Sequence, residues 1–131
     1  MKFLLSTSLL TSLSFAGAAV PANKICITNS GGYVLHWWML DLITGTSSAD
    51  SGNYPIDQTV CMGFSSIYGL SEGDLIFAQV HAVAGVTNNV DTAVYYQATP
   101  AMTVTYTCGG TTTMFNCRLV GEMTTIEENF L

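Results

Sequence analysis

Residues Gly31 to Leu42 read GGYVLHWWMLDL, and no other stretch limits the fold of this chain so tightly. It contains both tryptophans and one of the two histidines. It opens on a Gly-Gly break and stops just before Thr44-Gly45-Thr46. Extended from Tyr33 to Leu42, it would span about 33 Å at about 3.3 Å per residue. Alternation puts Tyr33, Leu35, Trp37, Met39 and Asp41 on one face and Val34, His36, Trp38, Leu40 and Leu42 on the other. Both faces are mostly apolar, and the β-branched and aromatic content favours a strand over a helix. The expectation is a central strand with one face in the core and the other partly covered. One of Trp37 and Trp38 is then core, and its neighbour lies under a loop or at a binding surface.

The chain begins like an export signal. Lys2 supplies the positive end, Phe3 to Phe15 is apolar with interspersed hydroxyls, and Ala16-Gly17-Ala18 fits small-residue cleavage. The expected organisation is a signal peptide over 1–18, a secreted domain over 19–120 and a C-terminal tail over 121–131 that is frayed or a short helix. No second apolar run of membrane-spanning length follows, so no membrane span is expected. Beyond residue 18 only Lys24 and Arg118 are cationic against nine acids, a net charge of −7. Nucleic acid is excluded as a partner, because phosphate recognition needs clustered Lys and Arg.

Four cysteines, Cys26, Cys61, Cys108 and Cys117, predict two disulfides in an oxidising compartment, with three connectivities open. Alternating segments at Lys24–Thr28, Ile56–Phe64, Asp74–Val83, Thr92–Ala98, Met102–Cys108 and Thr112–Val120 join the Trp strand, with Ile43–Pro55 as the longest polar loop. Six to eight strands separated by turn signals predict a single-domain, all-β sandwich of Ig-like or Greek-key type. The last two segments form the clearest hairpin. A tight turn at Gly110-Thr111 would set Tyr106 opposite Phe115, and Cys108 opposite Thr113 rather than Cys117. That register argues that Cys108 and Cys117 bridge to Cys26 and Cys61 rather than to each other, and of the two pairings left Cys26–Cys117 with Cys61–Cys108 is the one expected.

Catalytic signals are absent. His36 and His81 stand in predicted strands outside any G-x-S-x-G or H-E-x-x-H context. Asp41, Asp57, Glu72, Asp74 and Asp91 fall mostly at strand ends, where carboxylates cap and solubilise. The Asp50/Asn53/Asp57 and Asn88/Asn89/Asp91 groups read as Asx turns rather than calcium loops. No cofactor, no metal and no catalytic residue is therefore expected. The sharper signal is aromatic. Trp37, Trp38, Tyr54, Tyr95 and Tyr96, with Tyr68 beside them, are candidate binding residues, since an exposed ring stacks on a sugar or anchors a protein partner.

An export signal, about 110 further residues, four cysteines and no catalytic signature together make an outline that resembles the small secreted, cysteine-paired, effector-like proteins of filamentous fungi. The resemblance implies a non-enzymatic extracellular protein that recognises a partner protein or cell surface. The alternative is a carbohydrate-binding module or lectin acting through exposed aromatics on a cell-surface glycan.

Overall fold

The computed structural model describes residues 18–124, and residues 1–17 of the expected signal peptide and 125–131 of the expected tail lie outside the described residues. Nine strands are described: β1 (Val20–Ala22), β2 (Lys24–Asn29), β3 (Leu35–Asp41), β4 (Thr59–Gly63), β5 (Leu75–Ala82), β6 (Thr87–Asn89), β7 (Val94–Tyr96), β8 (Met102–Gly110) and β9 (Phe115–Thr124). They build the expected all-β sandwich. One sheet runs β1-β7-β5-β3, with β6 pairing β5 beyond the end of β7; the other runs β4-β2-β8-β9. Two pairings are parallel, β1 with β7 and β2 with β8. The rest are antiparallel. Among the described residues no helix is long and apolar enough to cross a membrane.

The inner faces follow from alternation. Leu35, Trp37 and Met39 of β3 and Ile76, Ala78, Val80 and Ala82 of β5 are fully buried. They meet Ile25 and Ile27 of β2, Val104, Tyr106 and Cys108 of β8, and Phe115 and Cys117 of β9. Burying one tryptophan as completely as Trp37 removes about 200 Å² from water, a gain of about 5 kcal/mol before entropy is counted.

The Trp strand is an edge strand, not a central one. Among the described residues its only strand neighbour is β5. A serine-rich segment covers its free side. Backbone bonds join Leu35 to Tyr54 in both directions, Ser51 N–H to Trp37 C=O, Ser48 N–H to Met39 C=O and Asp41 N–H to Thr46 C=O. Where the loop backbone drifts away, hydroxyls replace its carbonyls: Ser51 Oγ accepts from Trp37 N–H at 2.9 Å and Ser48 Oγ from Met39 N–H at 2.8 Å. Covering an edge in this way blocks pairing with another chain. Asn29 anchors the loop's far end. Its buried side chain donates to the Tyr33 and Tyr54 carbonyls and accepts from Gly31 N–H. Gly31 must lack a side chain, since a Cβ there would stand 2.1 Å from the Tyr33 ring.

The disulfides are Cys26–Cys61 and Cys108–Cys117, which overturns the expected pairing. The cause is register. The β8–β9 turn is a four-residue loop, Thr111–Met114, closed by reciprocal backbone bonds between its end residues. Gly110, at a φ of 111°, enters it. The hairpin register therefore shifts by four residues, and Cys108 faces Cys117 rather than Thr113. Side-chain faces are unchanged, because an even shift preserves alternation. Cys26 likewise faces Cys61 across β2 and β4. A second correction concerns the tail. β9 continues through Gly121 to Thr124, past a bulge that leaves Val120 unpaired and exposed, so residues 121–124 belong to the sandwich.

Candidate functional site

The two outer faces of the sandwich differ in chemistry. On the four-stranded sheet, Thr28, Thr105 and Thr107 flank the Cys26–Cys61 bridge, and hydroxyls satisfy one another, Thr28 with Thr59 at 2.7 Å and Ser30 with Thr107 at 3.1 Å. On the five-stranded sheet, β3 and β5 set rings and amides side by side. Cross-strand partners are His36 with His81, Trp38 with Gln79 and Leu40 with Phe77. β6 extends two of these rows, placing Thr87 beside His81 and Asn89 beside Gln79.

Each row is tied by its own hydrogen bonds. Trp38 Nε1–H donates to Gln79 Oε1 at 2.9 Å, and Gln79 Nε2 donates to Asn89 Oδ1 at 3.2 Å. A three-strand chain results in which each amide is oriented by its neighbour. In the next row His36 Nδ1 meets Asp50 Oδ1 at 2.7 Å, and His81 Nδ1 meets Thr87 Oγ1 at 2.8 Å. Asp50 comes from the serine-rich segment along β3, and its second oxygen accepts from Gly52 N–H at 2.8 Å. The ring of His36 lies 5.6 Å from that of Trp38 and 5.3 Å from that of His81. The arrangement thus presents a held indole, two amides and two imidazoles on one half-open face. It can accept and donate hydrogen bonds in a plane beside an aromatic ring.

The sequence candidates divide. Trp37 is wholly buried, so it is core and not a contact residue. Tyr54 is also core: 3% exposed, it donates its hydroxyl to the Ile27 carbonyl at 2.7 Å. Burial pushes its phenol up, far from ionisation at neutral pH. Both are thereby removed from the list of ring platforms, because a stacking ring needs an open face. Trp38 is the partly exposed member of its pair. Tyr95 is exposed on the same outer face, opposite Leu75 and Pro21. Pairing distances put Tyr95 about 16 Å from Trp38. Tyr96 turns to the other side of β7 and packs on Phe64, with ring centroids 5.7 Å apart. Tyr68 is the most exposed aromatic at 84%, in the β4–β5 connection. His36, His81, Gln79, Asn89 and Asp50 carry no binding signal in the sequence alone. In the sequence His36 and His81 read as strand histidines, and the β3–β5 register makes them neighbours.

Among the described residues no cluster of three or more His, Cys, Asp or Glu is placed to hold a metal. The most perturbed acid, Asp74, lies apart from the face. Burial raises its pKa, and the adjacent Asp41 carboxylate raises it further. Comparison with protein-family models, with curated proteins and with solved structures finds no match for this chain.

Proposed function

We propose that this protein is a secreted, non-enzymatic binding protein that recognises carbohydrate on the outer face of its five-stranded sheet. The Trp38–Gln79–Asn89 row carries the reading. An indole fixed by its own N–H bond offers a rigid apolar surface, and oriented amides beside it suit the closely spaced hydroxyls of a sugar. His36 and His81 add further planar donors and acceptors. Tyr95, on the same face, gives a second ring at a spacing suited to an extended glycan chain rather than to one ring. Two disulfides and the expected export signal support an extracellular setting.

A second reading, the effector-like recognition of a partner protein, is favoured by a different place. Val34, Val83, Val86 and Met114 are all exposed where the β5–β6 and β8–β9 turns meet, Met114 at 81%. Val86 N–H donates to the Thr112 carbonyl there, which joins the two turns. Retention on insoluble chitin, cellulose and β-glucan separates the readings. Carbohydrate recognition predicts specific retention that Trp38→Ala abolishes and Met114→Ser leaves intact. Absence of retention on every polysaccharide would defeat the first reading and leave the second.

A further inference from the structure

We propose that His36 and His81 form a two-imidazole chelate for a late first-row divalent cation, zinc or copper(II), on the outer face of the five-stranded sheet. This inference stands independently of carbohydrate recognition. The two residues are direct cross-strand partners on β3 and β5. Their ring centroids lie 5.3 Å apart. Two imidazoles bound to one tetrahedral ion at Zn–N distances of about 2.0–2.1 Å have centroids about 5.2 Å apart. The backbone register alone thus sets the rings at chelating separation.

The bond to Asp50 fixes which nitrogen His36 presents. A carboxylate only accepts, so Asp50 Oδ1 at 2.7 Å holds the proton of His36 on Nδ1. Thr87 Oγ1 at 2.8 Å can take either role toward His81 Nδ1, and as an acceptor it leaves Nε2 of that ring free for a metal. Both rings then present Nε2 as the remaining ligand atom. A histidine that binds metal through one nitrogen commonly donates its other N–H to a carboxylate or another oxygen, which orients the ring and raises its basicity. Asp50 is itself positioned by Gly52 N–H and by the serine-rich segment zipped along β3. His36 remains a quarter exposed, so solvent or a partner's oxygen can fill the other coordination positions. Imidazole is a ligand that suits zinc and copper(II), and copper(II) binds more tightly in a given nitrogen site.

The test uses the intact, disulfide-bonded protein freed of metal, titrated with Zn²⁺ by calorimetry. These are the chain's only two histidines, so imidazole-dependent binding is assigned without ambiguity. The expected result is one Zn²⁺ per chain, with affinity reduced at least about 100-fold by either His36→Asn or His81→Asn. Asp50→Asn should weaken binding by about 10–100-fold while keeping the stoichiometry. Equal affinity in the wild type and both histidine variants would mean separate, adventitious imidazoles and would overturn the chelate, as would absence of binding. Electron paramagnetic resonance of the wild type with one equivalent of Cu²⁺ gives a readout that does not depend on variant folding. Coupling to two imidazole nitrogens supports the site, and coupling to one refutes it.

Discussion

Removing the Cys26–Cys61 bridge by the double substitution Cys26→Ala/Cys61→Ala should destabilise the sandwich mainly through the unfolded chain. The bridge joins residues 35 apart in sequence. The loop-closure relation assigns such a link about 3.8 kcal/mol at room temperature. Packing adds less than at the other bridge, because only Cys26 is buried and Cys61 is exposed. Without the bridge, β4 is held to the sandwich by its pairing with β2 and by the connections at its ends. The Cys108–Cys117 bridge spans only 9 residues, worth about 2.6 kcal/mol by the same relation. Both of its cysteines are buried, so Cys108→Ala/Cys117→Ala adds about 2 kcal/mol of lost packing. Urea unfolding followed by tryptophan fluorescence measures both. The expected signature is a similar total cost from different sources, with a steeper denaturant dependence in the Cys26/Cys61 variant as its longer unfolded loop is released. A cost below about 1.5 kcal/mol for that variant would refute the chain-entropy argument.

Two further perturbations address buried polar groups. Asn29→Ala leaves the Tyr33 and Tyr54 carbonyls and the Gly31 N–H without their side-chain partner, at a cost of about 3 kcal/mol, measured by thermal or urea unfolding. A cost under about 1 kcal/mol would mean that the turn does not depend on this residue. Asp74 has a folded pKa raised by burial and by Asp41. The folded state therefore holds its proton more tightly than the unfolded state, and that contribution is full below the unfolded pKa and fades as pH rises through the folded one. Asp74→Asn should accordingly be more stable than the wild type at pH 7, with the gap closing near pH 3.8 and below. An Asn variant less stable than the wild type at pH 7 would contradict this sign.

Much of the sandwich was legible because alternation survives local error. The faces of β3, β5, β8 and β9 follow directly from their residues, and Trp37 and Trp38 separate into core and outer face as adjacency demands. What failed depended on distances along the chain. Gly110-Thr111 reads as a tight turn, yet the turn is the Thr111–Met114 segment, and the resulting four-residue shift in register overturned the expected disulfides. Ile43–Pro55 reads as a polar loop because its edge bonds are made partly by serine hydroxyls, which carry no strand periodicity. Tyr54 looked like a surface ring because a polar loop surrounds it in sequence, whereas its hydroxyl reaches the Ile27 carbonyl in the core. The candidate site was legible only in part. Trp38 and Tyr95 stood out as rings, but Gln79, Asn89, Asp50 and the His36–His81 pair join them only through the pairing of β3, β5 and β6.

The most direct test of the account is titration of the purified protein with soluble chitin, cellulose and β-glucan oligosaccharides while tryptophan fluorescence is followed, in the wild type and in Trp38→Ala. The account predicts a saturable shift in the wild type for one glycan class, lost in Trp38→Ala although Trp37 still reports an intact core. A flat titration with every glycan, or an equal shift in Trp38→Ala, would contradict recognition of carbohydrate on the five-stranded sheet.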